Sequence, residues 1–296
     1  MDFEKLEIPA TDGYQLSANL FKTRGNVNGC VIIGSAMAAH KTYYRHFAKY
    51  LTEHGYHAIT FDYRGVGASL HDNIKSFKGS ILDWGVKDLT GIRRWTEKNM
   101  ETDNLLFVGH SVAGQLFPLM HENHKIKAAY LVGSQMAYNG HWSGKEKLYV
   151  RLFWHVIIPV CTRVFGYLPA WAIGGGVPLP TSIAREWRAF GLHPHGILED
   201  DPIRRSQFSS VQTPVKFVGM ADDLMLAPPR SVEALKDNYG GSEIDFKILD
   251  PKDIKARRIE HFGFFRRKFR DTLWEDVLEW FKKSQQLEVL PSAPKC

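Results

Sequence analysis

The sequence predicts an α/β fold: a mostly parallel sheet with helices on both faces. Three observations carry this. Strand-like and helix-like stretches alternate along most of the chain. Several strands are continuous apolar runs, such as "CVII" at 30–33, which suits a strand buried on both faces. The alternation then breaks off between 137 and 206 and resumes, as an insertion into one domain would make it do.

Taken in order, residues 3–21 alternate around "TDG" (11–13) and predict a β-hairpin. The run 29–36 predicts a buried strand. Residues 43–56 place Tyr44, Phe47, Ala48 and Leu51 at helical spacing, with Gly55 as the stop. Residues 57–69 read as a strand and a glycine turn, and 83–100 as an amphipathic helix. "NLLFVGH" (104–110) is the next strand, "VAGQLFPLMHENH" (112–124) a helix, and 126–136 a strand. The segment 137–206 is helical or irregular and is expected to sit as a lid above one edge of the sheet. It divides a core made of 1–136 and 207–296 and holds four of the eight tryptophans: Trp142, Trp154, Trp171 and Trp187. After it come a strand (214–223), a helix (230–240), a strand (243–250) and a last helix (267–284). The tail from Leu287 is expected to fray.

At 296 residues the chain suits one large α/β domain with an insertion, and its 44% hydrophobic and 24% charged content is that of a globular protein. A net charge of +6 is mild at this size and gives no ground for a nucleic-acid partner. The basic clusters 252–258 and 266–270 read as solvated faces. Cys30, Cys161 and Cys296 are odd in number and far apart, so no disulfide framework or metal pair follows, and a reducing, cytoplasmic setting is expected. The uncharged stretch 164–184 holds three prolines and a triple glycine, which would break a spanning helix, so no integral membrane contact is expected. A monomer or homodimer is anticipated.

In a parallel sheet ligands gather at the carboxyl ends of the strands. There, "GHSVAG" (109–114) places Ser111 at a strand-to-helix bend. A nucleophile on such a bend needs small neighbours two residues away on each side, because strand and helix nearly touch. Gly109 meets the first demand; Ala113 adds one methyl at the second, and Gly114 relieves the crowding one residue later. The competing reading is an ordinary N-cap serine. A serine hydroxyl needs a base, and the base an acid to orient it. Candidates follow in the order Ser…Asp…His. His261 stands alone among the thirteen histidines in lying beyond the last strand. Asp222 is favoured as the acid, three residues after Gly219, with Asp223 as the alternative. The backbone amide of Val112 is the first expected oxyanion donor. The second donor is expected from the loop after 29–34, at Met37, with Ala36 next. His110 reads as a packed neighbour, and His40 as a residue near substrate. This chemistry calls for no cofactor and no metal.

The residues "DYRGVGAS" (62–69), "GHSVAG" (109–114), "GMADD" (219–223) and "EHFGFF" (260–265) resemble landmarks of the α/β-hydrolase superfamily, in the right order. "YYRHFAKYL", "AREWRAFG" and "HFGFFR" are similar to predicted hydrolases of a serine aminopeptidase-like group. The resemblance covers about residues 3–284. It implies an eight-stranded, mostly parallel sheet, a helical lid, and a triad on Ser111, Asp222 and His261. The chain departs from the pattern at Ile33-Gly34, where His-Gly is common, and at Ala113. A cofactor-independent hydrolase of an ester, thioester or lactone is expected, acting on a small acyl substrate. Trp142, Trp154 and Trp187 are candidates to line an apolar acyl pocket. An acyltransferase using the same acyl-enzyme and a non-catalytic binding protein of the same fold are the competing classes.

Overall fold

A computed structural model describes residues 3–241 and 243–289. The strands in chain order are β1 (Glu4–Pro9), β2 (Gln15–Phe21), β3 (Gly29–Gly34), β4 (Tyr56–Phe61), β5 (Leu105–His110), β6 (Ile126–Val132), β7 (Tyr167–Leu168), β8 (Leu179–Pro180), β9 (Val215–Met220) and β10 (Ile244–Leu249). Among the described residues, eight of them form one sheet in the order β1-β2-β4-β3-β5-β6-β9-β10. The pairs from β4 to β10 are parallel; β2 is antiparallel to both its neighbours. The remaining two, β7 and β8, pair as a small ribbon inside the insertion.

The helices are α1 (Arg45–Glu53), α2 (Ile81–Asp83), α3 (Thr90–Asn99), α4 (Val112–Leu116), α5 (Gly144–Leu152), α6 (Ile158–Val164), α7 (Thr181–Leu192), α8 (Pro202–Ser209), α9 (Pro229–Lys236), α10 (Glu260–Gly263) and α11 (Leu273–Val289). A π-helical stretch, Trp84–Leu89, joins α2 to α3, and another, Phe153–Ile157, joins α5 to α6. The helix expected over 112–124 is shorter: it tightens into a 3₁₀ turn at Phe117–Leu119, because Pro118 lacks the N–H that a continuing helix needs. The last helix starts later than expected, at Leu273, after a 3₁₀ turn at Arg267–Phe269. Of the tail expected to fray, Leu287–Val289 belong to α11; residues 290–296, with Cys296, lie outside the described residues.

Successive strand residues face opposite sides, so each face of the sheet builds its own core. On one face Val31, Ile33, Leu106 and Val108 meet α1 and α11 through Phe47, Leu51, Trp274 and Phe281. On the other, Ile32, Phe107 and Leu131 meet Trp84, Ile92 and Leu116, and this core continues into the insertion through Trp142, Trp154 and Ile183. The insertion leaves the sheet after β6 and returns at β9, two strands that lie side by side. It does not sit over one edge. Trp142 Nε1 donates to the Met225 carbonyl beyond β9, Val177 N to the Ala38 carbonyl beyond β3, and Ile81 N, beyond β4, donates to Glu186. It therefore spans the carboxyl ends of the central strands.

Candidate active site

Ser111 is held at φ 56°, ψ −115°, a conformation that costs a non-glycine residue about 1–3 kcal/mol. Its side chain makes no capping bond to α4, so the N-cap reading fails. The bend is held from below by Ser111 N donating to Val132 O at 2.9 Å. Three glycines give it room. A Cβ on Gly109 would meet Leu131 and Phe107 at 2.8 Å, and one on Gly114 would collide with Ser134. A Cβ on Gly34 would lie 2.8 Å from the Ala113 methyl. Ala113 is thus tolerated because the facing strand residue is itself bare. Ser111 is 8% exposed, and among the described residues its hydroxyl makes no hydrogen bond.

His261 lies on α10, its ring 4.9 Å from that of His110, the residue before Ser111, and so near Gly133 that a Cβ there would come within 3.2 Å of Nδ1. The Ser111 backbone bonds to Val132, so hydroxyl and imidazole share one neighbourhood. His261 Nδ1 is 2.6 Å from Asp223 Oδ2, and both residues are buried. A carboxylate facing Nδ1 fixes the proton there and leaves Nε2 as the basic nitrogen. Asp223 Oδ1 also accepts from Leu226 N at 3.1 Å.

It is therefore Asp223, and not the favoured Asp222, that faces the His261 ring. Asp222 turns away and accepts from Ile259 N at 2.8 Å and Glu260 N at 3.0 Å. It caps the N-terminal turn of α10, where Glu260 sits at φ 56°. The reason is one residue of strand: β9 ends at Met220, not Gly219, so the third position beyond it is Asp223. Asp223 N closes that turn on Met220 O at 3.1 Å.

His110 is buried and threads the site together. Its Nε2 lies 3.0 Å from the His261 carbonyl, which can only accept, so Nε2 carries the proton. Burial, then the neighbouring His261, push the His110 pKa well below its usual value, so Nδ1 is an acceptor. Tyr44 OH donates to that Nδ1 at 2.9 Å and accepts from Ala36 N at 2.8 Å. Nothing in the sequence marked Tyr44 beyond its helical spacing. It links the loop after β3, the end of β5 and the backbone of His261.

The Ala36 amide is thereby occupied, which removes it as a binding group for substrate. Among the described residues the amides of Met37 and Val112 make no hydrogen bond. His40 is also committed elsewhere: Nδ1 accepts from Thr42 N at 3.2 Å, and Nε2 lies 3.2 Å from Asp62 Oδ2. Asp62, fully buried, further accepts from Lys41 N, Lys41 Nζ and Ala68 N, and so ties the loops after β3 and β4 together. Its place in "DYRGVGAS" was the only sequence signal for that role.

A cavity of about 370 Å³ lies under the insertion, in the size range of small-molecule sites. Trp142, Trp154 and Trp187 all line it, with Val150, Phe153 and Ile157. Trp142 and Trp154 also belong to the continuous core, so they pack the insertion and wall the cavity at once. Trp171 does neither and is 69% exposed. Gln135, Met225 and Leu226 bring the cavity wall to the strand ends that carry the site; Leu226 is the residue bonded to Asp223. Among the described residues no group of three His, Cys, Asp or Glu side chains is placed to hold a metal ion.

A sequence profile described as "Serine aminopeptidase, S33" matches residues 25–223. No curated protein matches the sequence. Among solved structures, a soluble variant of monoglyceride lipase from Saccharomyces cerevisiae, in complex with a substrate analog, superposes with a TM-score of 0.67 at 13% identity, over 95% of this chain and 94% of that one. The esterase Pf2001 of Pyrococcus furiosus gives 0.62 at 14% identity, over 95% and 90%. The α/β-hydrolase GrgF from Penicillium sp. sh18 gives 0.62 at 17% identity, over 97% and 100%. At such identities these likenesses speak for the fold. With its eight-stranded sheet and a profile match over most of its length, the chain belongs to the serine aminopeptidase S33 family of α/β-hydrolases.

Proposed function

We propose that the protein is a serine hydrolase that cleaves carboxylic esters of apolar acids through an acyl-enzyme. The observation that carries this is the strained Ser111 backbone beside the buried His261–Asp223 pair. Ser111 is one of six described non-glycine residues at positive φ, and it is the one that adjoins His110, whose ring lies 4.9 Å from the oriented His261 imidazole, which is where nucleophilic catalysis uses such strain.

In this reading Ser111 Oγ attacks the ester carbonyl and gives its proton to His261 Nε2. Asp223 holds the ring and stabilises the imidazolium. The carbonyl oxygen, now an anion, is met by the amides of Met37 and Val112. The C–O bond to the alcohol breaks as His261 returns the proton to the leaving oxygen. Water then adds to the acyl carbon, with His261 as base, and releases the acid and the Ser111 hydroxyl. The apolar cavity receives the acyl chain. An ester is preferred to an amide because the lining is apolar, and because the similar structures include an esterase and a monoglyceride lipase.

The test is hydrolysis of p-nitrophenyl esters of graded acyl length, with fluorophosphonate labelling. Wild-type protein should turn over medium-chain esters and be labelled at Ser111. Ser111→Ala should lose at least about a thousandfold in kcat/KM while remaining folded. Equal turnover by Ser111→Ala, or labelling at another residue, would refute the proposal.

A further inference from the structure

The helical run from α5 through its π-turn to α6 carries apolar residues on its buried, cavity-facing and outer sides, with Lys145, Glu146, Lys147, Arg151, His155 and Arg163 between them. Val150, Trp154 and Ile158 are buried; Phe153 and Ile157 line the cavity. The outer side carries Leu148 (70% exposed), Leu152, Val156, Val160 and Val164 (68%), one every fourth residue. Four residues slightly overshoot a turn of α-helix and undershoot a turn of π-helix, so the π-turn at 153–157 brings the stripe back into line. Phe165 and Trp171 extend it as an exposed edge-to-face pair with ring centroids 6.1 Å apart. Scattered exposed apolar residues are ordinary; a contiguous row of this length is not.

The charges on this segment are predominantly basic. Between residues 144 and 182 stand Lys145, Lys147, Arg151 and Arg163 against a single acid, Glu146. Among the described residues none of these four cations forms an ion pair. Two copies of the chain meeting through this face would oppose like charges. No helix of the described residues is long and apolar enough to cross a membrane. An apolar row with basic flanks, on a helix that does not span, has the pattern of one lying in a lipid–water interface.

We propose that α5 and α6 seat the protein on an anionic lipid surface, with the apolar row at the headgroup–acyl boundary and the four cations among the headgroups. The helix that rests on lipid is then the one whose other side walls the cavity. Met225 and Leu226, which are also exposed, line the same cavity, and the exposed Leu224 precedes them in the chain. This docking does not depend on the chemistry of Ser111, and its test reads binding, not turnover.

The test is flotation of the full chain with vesicles of mixed phosphatidylglycerol and phosphatidylcholine, against vesicles of phosphatidylcholine alone. Wild-type protein should partition to the anionic vesicles, and the partition should fall roughly tenfold on neutral vesicles or at high salt. The triple substitution Leu152→Glu, Val156→Glu, Val160→Glu should lower it by a similar factor. So should Lys145→Glu with Arg151→Glu and Arg163→Glu, which leaves every apolar residue in place. Thermal melts check that each variant folds. Failure of the wild type to bind anionic vesicles would overturn the proposal. So would unchanged binding by the charge variant, or a dimer in sedimentation that the triple substitution dissociates, since the face would then be a subunit interface.

Discussion

Ser111, Asp222 and Asp223 separate geometry from chemistry in ways that single substitutions can read. Ser111→Gly removes both the hydroxyl and the strain, since glycine takes φ 56° freely. It should melt a few degrees above Ser111→Ala, which keeps the strain, while both are inactive; equal melting points in differential scanning calorimetry would argue against stored strain. Asp223→Asn should cost on the order of 10⁴ in kcat with little change in melting temperature, because it disturbs the proton on His261. Asp222→Ala should do the reverse. It leaves two amides of the His261 turn unpaired, costs about 1–3 kcal/mol of stability, and reduces kcat far less. Tyr44→Phe should lower stability by a similar amount, since it strands both His110 Nδ1 and the Ala36 amide. The sequence displayed Ser111 and His261 because each stands where a strand hands over to a helix or loop. It could not choose between adjacent aspartates: that choice turns on one further residue of β9, and strand ends are set by pairing with β10, which no local pattern records. Tyr44 was invisible for a similar reason, because its partners come from three separate elements.

At the scale of elements, the contact between α7 and the start of α2 is the one most exposed to pH. Glu186 of α7 accepts the Ile81 amide, and burial raises its pKa to about 7 from an ordinary 4.5. The folded state therefore holds this proton more tightly than the unfolded chain does. The stability that follows is fully present below about pH 4.5 and is lost as the pH rises through 7. Glu186→Gln removes the titration while keeping an acceptor for Ile81. Its melting temperature should gain on the wild type between pH 5 and pH 8, by about a few degrees; parallel curves would show that Glu186 does not titrate in this window. Most strands were legible because a strand buried on both faces needs a continuous apolar run. The helices were legible in position and less so in length, as α4 shows, where Pro118 ends what the apolar spacing seemed to continue. The two π-turns left no sign in the periodicity that could be told from ordinary helix.

For the whole molecule, the insertion and the sheet share one core, so the cavity is built from both. Enlarging Val150 on its wall, as Val150→Phe, should shift the preferred p-nitrophenyl ester toward shorter acyl chains and raise KM for long ones at least several-fold, with kcat for the acetate little changed. The insertion also grips the sheet at Ala38, which itself sits at φ 57° and follows Met37. There Val177 N bonds to the Ala38 carbonyl at 2.9 Å, and Gly176 lies so close that a Cβ would strike that same oxygen. The strap holding the cover down is thus fastened to the very loop whose amide would receive the developing negative charge. On the proposed chemistry, any displacement of the cover would have to break the Val177–Ala38 bond and so disturb that loop, which ties admission of a molecule to readiness to react on it.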